Sequence, residues 1–273
     1  VRAAVYTGTR NLYGGMIAAS KFLIANSDVE EVWFLIEDDE FPVELPDIIH
    51  TMNISEKWKE FYDEDGPNMT SQFTYMAMIR PAFCYLLPHL DKVLSLDVDT
   101  MVREDISELW DANLDGMYFA GCNEPHHSRD GLVSTNAGVT LVNLEKMRDG
   151  RADIVIDALN VHWFLFVDQE AMNALCQGRI GVLDPKFNGT KWCGINGDAP
   201  CYIKHYAGIK NWYSMKEAVD WYRMPWDEVL QMHEEVTLKH QGVDKPEQKG
   251  IKMPKWSKIS EANSPKESKD KEQ

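Results

Sequence analysis

A chain of 273 residues with 44% hydrophobic and 26% charged side chains carries enough apolar mass for one large α/β domain and has the profile of a globular protein. Its net charge of −16 argues against a nucleic-acid partner, because a phosphate backbone would be repelled, but a small anionic ligand stays open wherever a metal and local cations invert the field. Cys84, Cys122, Cys176, Cys193 and Cys201 are odd in number and form no C-x-x-C pair, so neither a disulfide framework nor a zinc knuckle is expected, and a reducing, cytoplasmic setting is the simpler reading.

In chain order, "RAAVYTG" (Arg2 to Gly8) predicts a buried first strand and "GGMIAASKFLIAN" an apolar helix. "EEVWFLIED" is a continuous apolar run bounded by acids, a second buried strand, and "DIIHTMNIS" a third. "TSQFTYMAMIRPAFCYLLPHL" reads as a helix carrying Arg80, disturbed or restarted at Pro81. "KVLSL" is a strand, "MYFAGCNE" and "GVTLVNL" are two more, and "DQEAMNALCQG" is a helix with acids at its start and glycine at its end. "RIGVLDPKFNG" reads as strand then loop, "CYIKHYAGIKNW" as a short strand then a polar loop, and "WDEVLQMHEEV" as a last helix. This alternation predicts an α/β fold, a mainly parallel Rossmann-like sheet flanked by helices in a single domain over residues 1–238. Residues 239–273, rich in Lys, Pro, Ser and Glu, read as a flexible solvated tail. Ile251, Met253, Trp256 and Ile259 interleaved with lysines give that tail an alternative as a weak peripheral contact at the inner face of a membrane. No membrane-spanning run and no signal-peptide pattern occurs within these residues, and Val1 in place of Met leaves room for a trimmed upstream segment. The N-x-S/T sequons at Asn53, Asn68 and Asn188 read as chance matches.

In a parallel sheet the ligand lies beyond the carboxyl ends of the strands at a switch in strand order. "VLSLDVDTMV" puts Asp97 and Asp99 at such an end. Two residues apart in an extended segment, both carboxylates face one side, where they repel each other unless a hard divalent cation lies between them. The competing reading is a turn that caps a helix over "REDISELW".

Further segments stand in a fixed order around this one: "STNAGVTLVNL", "VDQEAMN" and "IKHYAGIKNW". Together they resemble the family 8 glycosyltransferases, the retaining group that includes glycogenin and bacterial lipopolysaccharide hexosyltransferases, from about Val1 to Trp226. The resemblance implies a GT-A fold, a UDP-sugar donor and Mn²⁺, with Mg²⁺ as the alternative. By the same resemblance Asp97, Asp99 and His205 are metal ligands, Asp97 also lies near the donor, and Gly208 and Lys210 contact the diphosphate. Asn136 and Ala137 fall at the donor sugar, Asp168 binds its hydroxyls, Gln169 sits beside the anomeric carbon, and Arg80 contacts the donor. Asn211 replaces the family's proline before Trp212, and Glu170 its second aspartate. In the first loop, "TGTRNLY", the family's acidic residue is missing; Thr7 and Gly8 supply backbone contacts and Tyr13 a ring for the base, with a core role for Tyr13 as the alternative.

The chemistry fits these residue types. A departing diphosphate gathers negative charge, which a divalent metal and a lysine offset, and an imidazole beside two carboxylates tilts the site toward Mn²⁺. The expected function is metal-dependent retaining transfer of glucose or galactose from a UDP-sugar to a saccharide or glycoconjugate acceptor. The alternatives are a glycogenin-like protein that glucosylates its own tyrosine, among Tyr202, Tyr206, Tyr213 and Tyr222, and a non-catalytic nucleotide-sugar or glycan-binding protein. "NEPHHSRDG" and "KFNGTKWCGINGDAPC" are the expected acceptor loops.

Overall fold

A computed structural model describes residues 1–71, 73–128, 131–196 and 199–208. The elements in chain order are β1 (Ala3–Thr7), α1 (Tyr13–Asn26), β2 (Glu31–Ile36), β3 (Ile49–Asn53), α2 (Phe83–Leu86), β4 (Lys92–Leu96), β5 (Thr100–Val102) and α3 (Ser107–Trp110). They continue with β6 (Phe119–Asn123), β7 (Thr135–Asn143), α4 (Leu144–Met147), α5 (Arg151–Val161), α6 (Val167–Leu175), β8 (Ile180–Leu183) and β9 (Ile203–His205).

Seven strands form one sheet in the order β3-β2-β1-β4-β7-β6-β8. The pairs β3–β2, β2–β1, β1–β4 and β6–β8 are parallel, and β7 runs antiparallel to both its neighbours, so one reversed strand is inserted into an otherwise parallel sheet. From β1 the chain moves outward through β2 to β3, then returns to place β4 on the other side of β1. That reversal makes the β1/β4 seam the switch point, and the loops after Thr7 and Leu96 open onto it.

The inner strands β1, β4, β7 and β6 are buried almost throughout, which is why they read as continuous apolar runs, while the edge strands β3 and β8 expose His50, Thr51 and Val182. Along β1 the faces alternate: Ala4 and Tyr6 join the core beneath α1, Ala3 and Val5 the core beneath α2, α4, α5 and α6. Every residue of α1 from Tyr13 to Leu23 is buried, so this helix is covered all round. All five cysteines are buried and free. No helix among the described residues is long and apolar enough to cross a membrane.

Three expectations need correction. The stretch leading to β4 is disturbed at Pro81 and restarts as α2 after it, as expected, but what precedes α2 is not α-helix: 3₁₀ turns at Tyr75–Met78 and Arg80–Ala82 stand there, and Pro81 lacks the N–H that a continuing helix requires. Asp97 and Asp99 are not in extended backbone; the Thr100 N–H donates to the Asp97 carbonyl at 3.2 Å and closes a turn between β4 and β5. The turn does not cap α3, whose Ser107 N–H is taken by the Asp105 side chain at 2.9 Å. Sequence reading also carried the "GVTLVNL" strand through Leu144, where α4 begins, and assigned no element to 145–166, where the rest of α4 and all of α5 lie. Lys210, the "WDEVLQMHEEV" helix, Tyr213, Tyr222 and the 239–273 tail lie outside the described residues.

Candidate active site

The site begins where β4 ends. The Asp97–Thr100 turn leads into β5, which pairs antiparallel with β9 in a two-stranded ribbon. The register sets His205 opposite Thr100, and the Tyr206 N–H donates to the Asp99 carbonyl at 2.9 Å. A residue far away in sequence is thereby brought against the turn: His205 Nε2 lies 3.2 Å from Asp99 Oδ1 and 3.9 Å from Asp97 Oδ2. One ligand atom from each of Asp97, Asp99 and His205 falls within 4.8 Å of the others.

These residues fit a divalent cation. Asp99 Oδ1 is buried and accepts no hydrogen bond. His205 Nδ1 lies 2.8 Å from Asn188 Oδ1, which leaves Nε2 to face the carboxylates. Burial would lower the His205 pKa, but Asp99 and Asp97 more than reverse this and raise it. Asp97 is raised too, chiefly because burial desolvates it, against the pull of Arg80. Two carboxylates and an imidazole nitrogen make an O₂N donor set suited to Mn²⁺ or another borderline divalent ion. The imidazole lies flush on β7: a Cβ at Gly138 would fall 2.1 Å from His205 Cε1, so only glycine leaves the ring its place.

A second cluster stands beside the first. Arg80, on the 3₁₀ turn before α2, donates Nε–H to Ser95 Oγ at 3.0 Å and reaches Asp97 Oδ1 at 3.2 Å, while its other terminal nitrogen pairs with Asp168 Oδ2. It therefore bridges the carboxylate at the end of β4 to the one at the start of α6. Burial pushes Asp168 up to about 6 even with Arg80 against it. Val167, at the entry to α6, has φ +34°, an outlier for a β-branched residue. It is 1% exposed and packs in the core beneath α6, so the turn that delivers Asp168 and Gln169 is held by burial.

Gln169 and Asn136 are both oriented by the β7 backbone. The Ala137 N–H donates to Gln169 Oε1 at 2.9 Å and the Gly138 N–H to Asn136 Oδ1 at 3.0 Å. The amide nitrogens of both then point at one buried carboxylate, Glu124: Asn136 Nδ2 to Oε1 at 2.7 Å and Gln169 Nε2 to Oε2 at 3.2 Å. His127 Nδ1 lies 2.8 Å from the same Oε2.

Asp97, Asp99, His205, Arg80, Asp168, Gln169, Asn136 and Ala137 are thus joined in one network at the switch point. The first loop is different. Tyr13 is 2% exposed, its ring packs on Phe41, and its hydroxyl accepts from the Glu37 N–H at 2.9 Å and donates to Asp38 Oδ2 at 3.0 Å. The Gly8 N–H is taken by the Leu35 carbonyl at 3.1 Å, and the Thr7 hydroxyl faces the Met76 carbonyl at 3.5 Å. Gly208 has φ +75°, a left-handed position suited to glycine at the end of the H-x-x-G turn. Glu124 and Asn188 were missed by sequence reading: each is one polar residue in a polar loop, and Asn188 was set aside as part of a sequon. Its amide and that of Asn68 are buried and hydrogen-bonded.

A mostly parallel sheet with one reversed strand, carrying an acid pair and a histidine at its switch point, is the GT-A fold of glycosyltransferases. The chain belongs to glycosyl transferase family 8, whose family model matches residues 5–215, and it is a glycosyltransferase. A Haemophilus influenzae protein whose name places it among the glycosyltransferases is 24% identical over 237 residues, covering 75% of this chain and 71% of that protein. The crystal structure of an active-site mutant of LgtC superposes with a TM-score of 0.65 at 18% identity, covering 90% of this chain and 98% of LgtC. The galactosyltransferase LgtC in complex with donor and acceptor sugar analogs gives 0.61 at 19% identity over the same shares. Apo GlyE of Streptococcus pneumoniae TIGR4 gives 0.57 at 21% identity, covering 88% of this chain and 64% of GlyE. At these identities the structural neighbours show the shared fold.

Proposed function

We propose that this enzyme transfers a hexose, glucose or galactose, from a UDP-sugar to a saccharide or glycoconjugate acceptor, with retention of configuration and with a divalent metal, Mn²⁺ before Mg²⁺. The observation that carries the metal reading is the convergence of Asp97, Asp99 and His205 around a buried oxygen that accepts no hydrogen bond. The likeness to LgtC, crystallised with donor and acceptor sugar analogs, supports the substrate classes.

Asp97, Asp99 and His205 hold the cation, which when bound supplies Lewis-acid neutralisation of the diphosphate. Gly208 and Lys210 meet the same phosphates, and Lys210 offsets the charge gathering on the leaving group. Asp168 accepts hydrogen bonds from sugar hydroxyls, with Arg80 holding its carboxylate in place and contacting the donor. Asn136 and Ala137 line the sugar. Gln169 stands at the anomeric carbon as an oriented amide, a weak nucleophile, which favours front-side attack assisted by the leaving group over double displacement. Thr7, Gly8 and Tyr13 border the base. Residues 1–238 form the catalytic domain and 239–273 a tail that touches a membrane surface weakly or not at all.

Self-glucosylation is the second reading. Tyr206 is buried and its hydroxyl accepts from Arg103 at 3.0 Å, which counts against that residue as the acceptor. The deciding measurement is nucleotide release from UDP-, GDP- and dTDP-sugars with and without Mn²⁺. Release confined to UDP-hexoses and dependent on the metal supports the proposal, and equal release after chelation sinks the metal reading. Mass spectrometry with UDP-glucose settles self-modification, since no added hexose rules it out.

A further inference from the structure

Hydrogen-bond directions around His205 can be followed without ambiguity because the network starts at a backbone donor. The Gly138 N–H can only donate, so the Asn136 atom 3.0 Å away is an acceptor oxygen. The Asn188 atom 2.9 Å from that same oxygen must then be its amide nitrogen, which turns the Asn188 oxygen toward His205 Nδ1 at 2.8 Å. An amide oxygen cannot donate, so Nδ1 carries the hydrogen, and Nε2 of the neutral ring presents a lone pair to Asp97 and Asp99. Asn188 is 0% exposed, so its amide cannot turn to bulk solvent instead. Its loop is held by the Asn188 N–H on the Pro185 carbonyl at 2.9 Å and the Gly189 N–H on the Ile203 carbonyl at 2.8 Å, so the loop and β9 are one unit. At Gly189 a Cβ would fall 2.4 Å from Cys201 Sγ, which keeps the loop tight against the strand that bears His205.

We propose that Asn188 is a positioning residue: it fixes neutral His205 as the Nδ1–H tautomer, turns Nε2 toward Asp97 and Asp99, with which it would hold the cation, and couples that residue through Asn136 to Glu124, which also holds Gln169. The assignment rests on the metal reading above. It adds an outer partner of the histidine ligand, of the kind that orients metal-bound imidazoles generally. It also adds a route by which metal ligand and sugar-facing amide share one anchor. A cation needs a lone pair at Nε2; the other tautomer would point a hydrogen at it.

The test begins on the wild-type protein. Selective ring-¹⁵N labelling of its 8 histidines, at alkaline pH without metal and with His205→Gln for assignment, should show His205 hydrogen on Nδ1. Hydrogen on Nε2 overturns the proposal. Mn²⁺ affinity is then measured by calorimetry. Asn188→Leu should weaken it by about 10–100-fold, the usual cost of losing such a partner. Asn188→Asp, which still accepts from Nδ1 but cannot donate to the Asn136 oxygen, should keep affinity within about 3-fold while raising the donor KM. Wild-type affinity in Asn188→Leu overturns the proposal; if that variant fails to fold, equal damage to affinity and KM in Asn188→Asp overturns it. A wild-type protein that binds neither Mn²⁺ nor Mg²⁺ sinks the metal reading instead, and the tautomer spectrum still judges the role of Asn188.

Discussion

The two ends of the candidate site are built on opposite principles. At the ribbon end, Asp97, Asp99 and His205 are crowded together with a buried oxygen that accepts no hydrogen bond and two raised pKa values. At the β7 end, Asn136, Gln169 and Glu124 satisfy one another, each amide oxygen fixed by a backbone N–H. If the ribbon end holds a cation, as proposed, the ion would relieve that crowding of like charges. If the β7 end receives the donor sugar, as proposed, its rigidity would suit a neutral ligand, because hydroxyls offer only modest energy with which to reorganise a site.

Substitutions should therefore have opposite signs at the two ends. The largest effect is on activity: Asp99→Ala should cut metal-dependent transfer on the order of 10³-fold and abolish Mn²⁺ binding by calorimetry. Next, Asn136→Ala should cost about 2 kcal/mol, seen as a fall of about 4–8 °C in Tm, because the Gly138 N–H, Glu124 Oε1 and Asn188 Nδ2 all lose their partner. Asp99→Asn, measured without metal, should leave stability unchanged or raise it by up to about 1 kcal/mol, since like charges are separated and an amide donor enters. A fall comparable to that of Asn136→Ala would remove the contrast.

The pH dependence sharpens it further. Asp97 and His205 both have raised pKa values, so their protonated forms persist to higher pH than usual, and a cation needs both deprotonated. The rise in Tm produced by Mn²⁺ should shrink as pH falls from about 8 to about 6, and vanish at every pH in Asp99→Ala. Stabilisation that grows on acidification would contradict this. The smallest effect belongs to the first loop. Tyr13→Phe should cost about 1 kcal/mol of stability through the lost Glu37 and Asp38 hydrogen bonds, with the donor KM unchanged if the ring serves the core alone.

The ribbon end was legible in the sequence because an apolar strand running into two acids is a conspicuous conflict, and His205 stood in a recognisable segment. The alternation of strands and helices was legible for the same reason: two buried faces leave continuous apolar runs. Glu124 and Asn188 were not, since their importance comes from burial, and burial is decided by the reversed strand β7 and by the loop after β8. The break at Pro81 was legible, but the 3₁₀ turns that stand in place of the helix around Arg80 were not, because apolar spacing alone does not separate them from α-helix. Asp97 and Asp99 converge through a turn that spacing arguments do not anticipate.

The pairing of β5 with β9 also sets an order of events. During synthesis Asp97 and Asp99 emerge about 100 residues before His205, at a rate that separates them by several seconds or more. Until Ile203–His205 docks on Thr100–Val102, the acid pair has no imidazole beside it and no closed corner in which to hold an ion. On the metal reading proposed above, capture of the cation would be reserved for a chain that has built its sheet and returned to the β4 turn, so occupancy would report that β9 has docked.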